Sequence, residues 1–568
     1  MHDLVVRGGT LVDGSGAPAR PADVAIDGDR IVAVGEVGPG KQEIDAAGRL
    51  VTPGFVDVHT HYDGQVTWDE QLSPSCWHGV TTVVMGSCGV GFAPAAPDRH
   101  AWLIGLMEGV EDIPGAALHE GIRWGWESFP EYLDAIDTPH ALDFAAQVPH
   151  GALRAYVMGD RGADNEEATP SDIELMAGLV EDALRAGALG FSTSRTLLHK
   201  SVTGVPVPGT FAGRDELFGI ASALERTGLG IFQCASEHVR VPEELEWMEE
   251  LAERCPVSFN LSQTDQTPEL WRQIVPILDR ARDRGLPLVA QVAGRAIGIV
   301  MNWRLTAHPF RLFPAFHAEA YNHPEWPDLA RRLQDPEVKA KILADTPIEL
   351  DEFATFVTRS FHKMYRIGAD PDYEPGPEAS VAAEAARRGV SPEEVAYDWM
   401  LEDQGEGMLY FPLFNYADND LELLRTLHSH ANTRMGLSDG GAHCGAICDG
   451  GMPTFMLTHW GRDRTRGQRL PLEYLVMRQT SQTAELFGLR DRGVIAPGMK
   501  ADVNVIDFER LRLQAPEVLF DLPAGGRRLV QRPEGYEATI CSGIITFRHG
   551  QATGALPGRL VRGPQAQA

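Results

Sequence analysis

Residues 50–63 read LVTPGFVDVHTHYD, an apolar run that ends in His59 and His61, and this is the most informative stretch of the chain. Alternate residues of a β-strand project to the same face, so two histidines one residue apart point the same way if the run is a strand. That spacing suits a shared divalent metal ion. Packing of two buried histidines is the alternative for the pair taken alone. The stretch therefore predicts a strand with a metal centre at its end.

Beyond this pair, apolar runs that look like strands alternate with runs that look like helices, which is typical of a parallel α/β sheet. The predicted strands are 55–59, 81–85, 153–157, 188–192, 230–234, 257–261, 288–292 and 434–437. The predicted helices include 170–186, 214–226, 242–254 and 268–284. Eight such strands predict a closed (β/α)8 barrel of the TIM type.

Both ends of the chain carry short β-rich runs instead. Asp27-Gly28 lies between two of them and is typical of a tight hairpin. We predict a small β-sandwich built from residues 1–50 and 493–568, and a barrel domain over 51–492. The connection from about 301 to 432 is too long for one crossover, which predicts a lid or an insertion there.

The composition narrows the class of partner. The chain has 80 aspartate and glutamate residues against 50 lysine and arginine residues, a net charge of −30. This balance disfavours nucleic acid and anionic membranes, and we predict a small-molecule substrate. Seven cysteines without a CxxC pair, and an amino terminus without a signal-peptide pattern, predict a cytoplasmic protein. The oligomeric state stays open, with a homo-oligomer as one option.

Further residues of metal-ligand type follow later predicted strands. They are Cys88 in MGSCGVG, His238 in CASEHVR and Asp439 in GLSDGGAH. A barrel places its catalytic groups at these strand ends. Because these ligand-type residues occur at other strand ends, a metal site is a better explanation of His59 and His61 than packing alone.

Taken together, the sequence resembles the amidohydrolase superfamily and, within it, the N-acyl-D-amino-acid deacylases. The resemblance covers nearly the whole chain. It is carried by VVRGGTLVDGSG at 5–16, PGFVDVHTHYD at 53–63, SCG at 87–89, GALGFST at 187–193, Ser438-Asp439 and GVIAPGMKAD at 493–502. It implies a (β/α)8 barrel with a β-sandwich built from both termini, and zinc as the usual metal.

The resemblance also implies roles for individual residues. His59 and His61 match the first-strand ligands, and His238 matches the fifth-strand ligand. Cys88 matches a cysteine that replaces the carboxylated, metal-bridging lysine used elsewhere in the superfamily. Asp439 matches the eighth-strand aspartate, which acts as a ligand and as the general base. A thiolate ligand also suits zinc.

One predicted ligand position differs from the N-acyl-D-amino-acid deacylases, which we call the deacylase branch. Where the branch has a sixth-strand histidine, this chain has Gln263, and an amide oxygen binds zinc weakly compared with imidazole. We therefore predict one firmly bound Zn²⁺ beside His59 and His61, and leave open a second, weaker ion near His238. Alternative ligands for the second ion are Asn260 and Asp265.

Other candidates surround the predicted centre. His443, four residues after Asp439, is predicted to orient that carboxylate or to bind the substrate carbonyl; a loop histidine bonded to backbone is the alternative. Three arginines follow predicted strands and suit a substrate carboxylate, with structural salt bridges as the alternative: Arg195, Arg240 and Arg295. His199 lies in a loop that is on the substrate side in the branch.

The leading hypothesis is a zinc-dependent hydrolase of linear amides that deacylates N-acyl-D-amino acids or related compounds. The D preference comes from the resemblance alone. A ring-opening enzyme of the hydantoinase or dihydropyrimidinase kind is the first alternative, although residues 190–195, GFSTSR, lack the lysine which those enzymes carboxylate. A catalytically silent scaffold is the second alternative, because the chain has Gln263 at a ligand position.

Overall fold

The computed structural model describes residues 1–348 and 351–563. The strands up to the middle of the chain are β1 His2–Leu11, β2 Arg20–Asp27, β3 Arg30–Gly35, β4 Gly40–Asp45, β5 Leu50–Pro53, β6 Phe55–Asp57, β7 Val80–Met85, β8 Asp143–Ala146, β9 Val148–Pro149, β10 Gly190–Ser194, β11 Ile231–Ala235 and β12 Val257–Asn260. The later strands are β13 Leu288–Val292, β14 Ile297–Met301, β15 Tyr365–Ile367, β16 Met408–Phe414, β17 Thr433–Met435, β18 Val503–Ile506, β19 Arg512–Leu522, β20 Gly526–Glu534, β21 Tyr536–Cys541, β22 Ile544–Arg548 and β23 Gln551–Ala552.

The α-helices alternate with the central strands and fill the long connection after β14. They are α1 His100–Glu111, α2 Gly115–Gly121, α3 Phe129–Ile136, α4 His150–Met158, α5 Asp160–Ala163, α6 Pro170–Ala186, α7 Arg214–Thr227, α8 Val241–Leu251, α9 Trp271–Asp283, α10 Pro314–Asn322, α11 Trp326–Leu333, α12 Pro336–Leu343, α13 Glu352–Arg359, α14 Val381–Arg388, α15 Pro392–Gly405, α16 Glu422–His428, α17 Met452–Phe455, α18 Leu472–Arg478 and α19 Ser481–Leu486. Among the described residues, no helix is both long enough and apolar enough to cross a membrane.

Local chemistry explains where the predicted helices begin and end. The hydroxyl of Thr169 accepts a hydrogen bond from the backbone N–H of Asp172, and the Asp172 carboxylate bonds back to Thr169, which forms a capping box before α6. Gly187 follows the last residue with φ at 123°. The predicted helix at 170–186 is confirmed, and those at 214–226, 242–254 and 268–284 are confirmed with shifts of one to three residues.

Both termini contribute to one nine-stranded sheet. Its order is β23-β22-β21-β18-β5-β1-β2-β3, with β4 paired to β1. The central contact is β18 with β5, where Val505 pairs with Val51 although the two residues are far apart in sequence. The predicted Asp27-Gly28 hairpin joins β2 to β3. The expectation that the two chain ends share β-structure is confirmed, while the domain boundaries stay a prediction.

Two parallel sheets form the centre of the α/β fold. One has the order β6-β7-β8 and the other β17-β13-β12-β11-β10-β9. β8 is an edge strand of the first sheet and β9 is an edge strand of the second. Only Gln147 separates these two strands in the chain, so the two sheets are adjacent at these edges. At the opposite edges, Thr60 forms a parallel bridge with Gly440. The carboxyl ends of these strands carry the candidate ligands.

The predicted strand at 153–157 is wrong. These residues belong to α4, and the strands at this point of the chain are β8 and β9. His150 and Arg154 lie one helical turn apart, and both bond to the buried carboxylate of Glu216, the histidine Nε2 at 2.9 Å. A short apolar run does not distinguish a strand from a buried helix, so the local pattern misled the prediction.

Much of the predicted insertion at 301–432 packs around a hydrophobic core of its own. Its last helix, α16, packs into the main core instead, through Leu423, Leu424 and Leu427. β14 and β15 both pair antiparallel with β16. Buried aromatic side chains pack together beside this small sheet, with Trp303 against Phe310 and Tyr397 at ring distances of 5.3 and 4.9 Å. These aromatic residues therefore stabilise the insertion itself.

A buried ion-pair network fastens the central sheet to the terminal sheet. Asp143 in β8 accepts a hydrogen bond from Arg492 at 2.6 Å and lies 2.7 Å from the Lys500 ammonium. Lys500 also contacts Asp502 at 2.9 Å. Although burial disfavours the charged form, the two cations hold the pKa of Asp143 below its usual value.

Replacing Asp143 by asparagine is expected to lower the free energy of unfolding by about 3 kcal/mol, because buried cations lose their carboxylate. Denaturant unfolding at pH 7 measures the change. The control is Asp134→Asn, whose exposed carboxylate lies 2.7 Å from Arg562 and should contribute less than about 1 kcal/mol. Equal effects of the two substitutions would contradict the fastening role.

Candidate metal centre

Three predicted ligands converge at the carboxyl ends of β6 and β7. His59, His61 and Cys88 are buried, and their ligand atoms lie within 4.8 Å of one another. The Nε2 atom of His59 lies 3.2 Å from the Cys88 Sγ. Asp439 joins them, with its Oδ1 3.4 Å from His59 Nε2 and 3.6 Å from His61 Nε2. The structure therefore brings together four residues that the sequence predicts as ligands.

Backbone pairing explains how Asp439 reaches the histidines. The N–H of Asp439 donates to the His59 carbonyl at 3.1 Å, and the N–H of His61 donates to the Gly440 carbonyl at 2.9 Å. The Ser438 hydroxyl donates to the buried carboxylate of Asp57 at the end of β6. These bonds join two segments that are about 380 residues apart in the chain.

Gln291 fixes the orientation of the His59 ring. Its Oε1 lies 2.8 Å from His59 Nδ1, while its own amide nitrogen donates to the Ser258 hydroxyl at 2.9 Å. The network thus assigns the proton of His59 to Nδ1 and leaves Nε2 toward Cys88 and Asp439. Burial lowers the pKa of His59 to about 4, which keeps this imidazole neutral at physiological pH.

The loop after β7 holds Cys88 by its backbone. The N–H of Cys88 donates to Gln233 Oε1 at 3.2 Å, and the N–H of Gly89 donates to the Ser192 hydroxyl at 3.0 Å. Cys88 and Asp439 both adopt left-handed backbone angles, with φ of 57° and 49°. Such strain in residues other than glycine is concentrated at functional sites, where the surrounding structure enforces it.

Glu111, the last residue of α1, is a component that the sequence analysis missed. Its fully buried carboxylate lies 3.3 Å from His61 Nδ1 and 3.5 Å from His443 Nε2. Although burial opposes it, the charge of Glu111 holds the pKa of His61 well above its usual value. A carboxylate behind a histidine ligand fixes the tautomer and orients the ring.

The centre is rich in buried carboxyl groups. Burial raises the pKa values of Asp57 and Asp63 to about 7. The pKa of Asp439 is lowered despite burial, chiefly because a hydrogen bond from His61 stabilises the carboxylate. Within the described residues, the ion pairs of Asp439 and Glu111 are with histidines. A bound cation would compensate this buried charge.

The donor set fits zinc. A tetrahedral ion with bonds of roughly 2.0 to 2.3 Å holds ligand atoms about 3.3 to 3.6 Å apart. Two separations, 3.4 and 3.6 Å from Asp439 to the histidines, fall within this spacing, and the 3.2 Å between His59 and Cys88 is slightly shorter. Imidazole nitrogen, thiolate sulfur and carboxylate oxygen are all established zinc ligands.

Two predicted ligands lie outside this group. Gln263 is engaged elsewhere, because its amide nitrogen donates to Asp418 at 3.0 Å and its amide oxygen accepts from Ala417 at 3.1 Å. His238 lies beside a neighbouring cavity, with its ring 4.8 Å from Phe414 and its buried Nδ1 without a hydrogen-bond partner among the described residues. The role of His238 as a ligand stays a prediction.

The remaining candidates divide between the centre and the scaffold. His443 contacts Glu111 at the centre. The Nδ1 atom of His199 lies 3.1 Å from the Ser194 hydroxyl oxygen, within hydrogen-bonding distance. Two of the three predicted arginines form salt bridges: Arg195 with Glu244 at 3.2 Å, and the buried Arg295 with Asp449 at 2.9 Å. The third, Arg240, is exposed just before α8. Salt bridging, the alternative for Arg195 and Arg295, is what the structure shows.

Known proteins resemble this chain in sequence and in fold. The sequence matches the amidohydrolase family over residues 42–547. D-aminoacylase of Alcaligenes xylosoxydans xylosoxydans is 29% identical over 572 residues, which cover 98% of this chain and 97% of that protein.

Solved structures show the same α/β fold. N-acyl-D-glutamate deacylase from Bordetella bronchiseptica, complexed with zinc and a phosphonate inhibitor, has a TM-score of 0.65 at 24% identity, with 99% of each chain covered. A structure of D-aminoacylase with a binuclear metal centre has a TM-score of 0.64 at 24% identity, covering 99% of this chain and 100% of that one.

Replacing Glu111 by glutamine is expected to weaken Zn²⁺ affinity by about 10- to 100-fold, because His61 loses the carboxylate behind its ring. Competition with a chelating indicator measures the affinity. The control is Glu108→Gln, one turn earlier on α1, where the carboxylate accepts the Gly115 N–H at 3.0 Å and should leave affinity unchanged. Unchanged affinity in the Glu111 variant would contradict this role.

Proposed function

Because the chain belongs to the amidohydrolase family, we propose that it hydrolyses the amide bond of N-acyl amino acids, preferentially the D enantiomers, with one zinc ion. The observation that carries this proposal is the convergence of His59, His61, Cys88 and Asp439 on one point. The D-aminoacylase relative and the deacylase complexed with zinc support the substrate class and the metal.

The proposal includes a closed barrel of eight strands: β6, β7, the β8–β9 run, β10, β11, β12, β13 and β17. The parallel pairings and the Thr60–Gly440 bridge support this closure. In such a barrel the ligands lie at the mouth formed by the carboxyl ends of the strands. Residues 1–50 and 493–568 then form the second domain, and 301–432 forms an insertion beside the mouth.

Bound at this centre, zinc supplies Lewis acidity, which makes water nucleophilic near neutral pH and polarises a carbonyl oxygen. Asp439 accepts a proton from the attacking water and transfers it to the departing amide nitrogen. A C–O bond forms and the C–N bond breaks, which releases a carboxylic acid and an amino acid. Glu111 holds His61 and His443 in place during this exchange.

A linear amide is the proposed substrate rather than a ring. β10 reads Gly-Phe-Ser-Thr-Ser and is followed by Arg195, so no lysine is present there to be carboxylated. Cys88 occupies the centre instead. A cytoplasmic location remains a prediction, and a second, weaker ion near His238 remains an open alternative.

The proposed function predicts that the purified zinc-loaded enzyme hydrolyses N-acetyl-D-amino acids faster than the L enantiomers, hydantoin or dihydrouracil. Chelation should abolish turnover, and one equivalent of Zn²⁺ per chain should restore it, because four ligand groups surround one position. Amine release and metal content measure both effects. Faster turnover of hydantoin or dihydrouracil, or activity that survives complete metal removal, would contradict the proposal.

Asp439→Asn provides the catalytic control in the same assay. Loss of a general base reduces turnover about 10²- to 10⁴-fold. Asp418→Asn, which alters an exposed carboxylate bonded to Gln263, should retain turnover. Full activity of the Asp439 variant would remove that residue from the mechanism.

A further inference from the structure

A cavity of about 360 Å³ lies beside His238, among the loops that follow the parallel strands. It is lined by side chains from the loops after β10 and β11, from the end of β16 and from α13. We call it the aromatic cavity, after its apolar wall of Leu198, Phe353, Phe356, Leu413 and Phe414. No step of the proposed chemistry uses it.

Backbone contacts place the aromatic cavity and the metal centre at the same end of the parallel sheet. The Cys88 N–H bonds to Gln233 in β11, and the Gly89 N–H bonds to Ser192 in β10. The loops that follow these two strands supply the cavity wall. The metal-binding loop therefore rests on the strands that lead into the cavity.

His199 links the two regions. It follows Leu198 of the cavity wall and bonds to Ser194 at the end of β10. The same strand holds the metal-binding loop, because the Ser192 hydroxyl accepts the Gly89 N–H. His199 therefore joins the cavity wall to a strand that supports the metal centre.

The apolar wall is open to solvent. Phe353 and Leu198 are each 43% exposed, and Phe356 packs against Phe411 at a ring distance of 5.4 Å. When a ligand covers exposed apolar surface around a concave site, the removal of that surface from water favours binding. An apolar cavity of about 150 Å³ in another protein already holds benzene, so this volume admits a phenyl-sized group.

Charge determines which groups the cavity accepts. Three carboxylates line it, those of Glu237, Asp265 and Glu352, and the described lining includes no arginine or lysine. The Asp265 carboxylate is paired with Lys363 at 2.5 Å, and the Glu237 carboxylate accepts the Leu197 N–H at 2.8 Å. The lining carboxylate that remains is that of Glu352, which is exposed at the start of α13. An acidic substituent would meet this negative charge, whereas an uncharged one would not.

We propose that the aromatic cavity binds a bulky, uncharged apolar substituent of the N-acyl substrate and disfavours an acidic one. The inference rests on the proposed function and names its substrate class. The substituent is either the acyl group or the amino-acid side chain. Substrate series that vary one at a time distinguish these two sources.

The test measures kcat/KM of the zinc-loaded enzyme on two series. One varies the acyl group of D-alanine from acetyl to hexanoyl to phenylacetyl, and the other varies the side chain of N-acetyl-D-amino acids from alanine to leucine, phenylalanine and glutamate. At least one series should rise tenfold or more toward the large apolar member, as expected for filling a hydrophobic pocket. N-acetyl-D-glutamate should be the poorest substrate of its series.

Variants test the wall and its charge separately. Phe353→Ala should reduce the preference for the large over the small substrate at least threefold, while Phe520→Ala, at a 57% exposed phenylalanine of β19, should not change it. Glu352→Lys should raise relative turnover of N-acetyl-D-glutamate at least threefold. Glu337→Lys, at the equally exposed start of α12, is the matched control.

The outcomes separate the two proposals. Turnover of N-acyl-D-amino acids without a size preference, or with N-acetyl-D-glutamate as the best substrate, would overturn the cavity assignment and leave the proposed function intact. An unchanged preference in Phe353→Ala would also overturn it. No turnover of any member would overturn the proposed function and the cavity assignment together.

Discussion

The pairing of residues 59–61 with 439–440 is the constraint on which the centre depends. Two backbone hydrogen bonds and the Thr60–Gly440 bridge join the end of β6 to the segment after β17. Without that pairing, Asp439 would not lie within 3.6 Å of both histidines. The end of β6 and the segment after β17 belong to the edges of the two parallel sheets, and this pairing joins them. The terminal sheet is linked to β8 through the ion pairs of Asp143 with Arg492 and Lys500.

The electrostatics of the centre follow from this geometry. Carboxylates at Asp57, Asp63, Glu111 and Asp439 are buried together. Desolvation makes such a group costly unless a cation or a proton neutralises it. Histidine protons balance part of this charge, and a divalent cation would balance more of it.

The sequence predicted the ligands better than it predicted their supports. His59, His61, Cys88 and Asp439 were found because each follows a strand in a motif that is visible locally. Glu111 ends an ordinary helix, so no sequence signal marked it. Gln291 was a polar residue within the apolar strand LVAQV, a signal that the sequence analysis did not use. The helical run at 153–157 was mistaken for a strand because tertiary contacts decide between the two.

X-ray absorption at the zinc edge of protein loaded with one equivalent tests the central claim most directly. A single ion among His59, His61, Cys88 and Asp439 predicts one sulfur ligand at about 2.3 Å together with nitrogen and oxygen ligands at about 2.0 Å. The sulfur signal should disappear in Cys88→Ser and persist in Cys255→Ser. A spectrum with nitrogen and oxygen ligands alone, or a sulfur signal that survives in Cys88→Ser, would contradict this account.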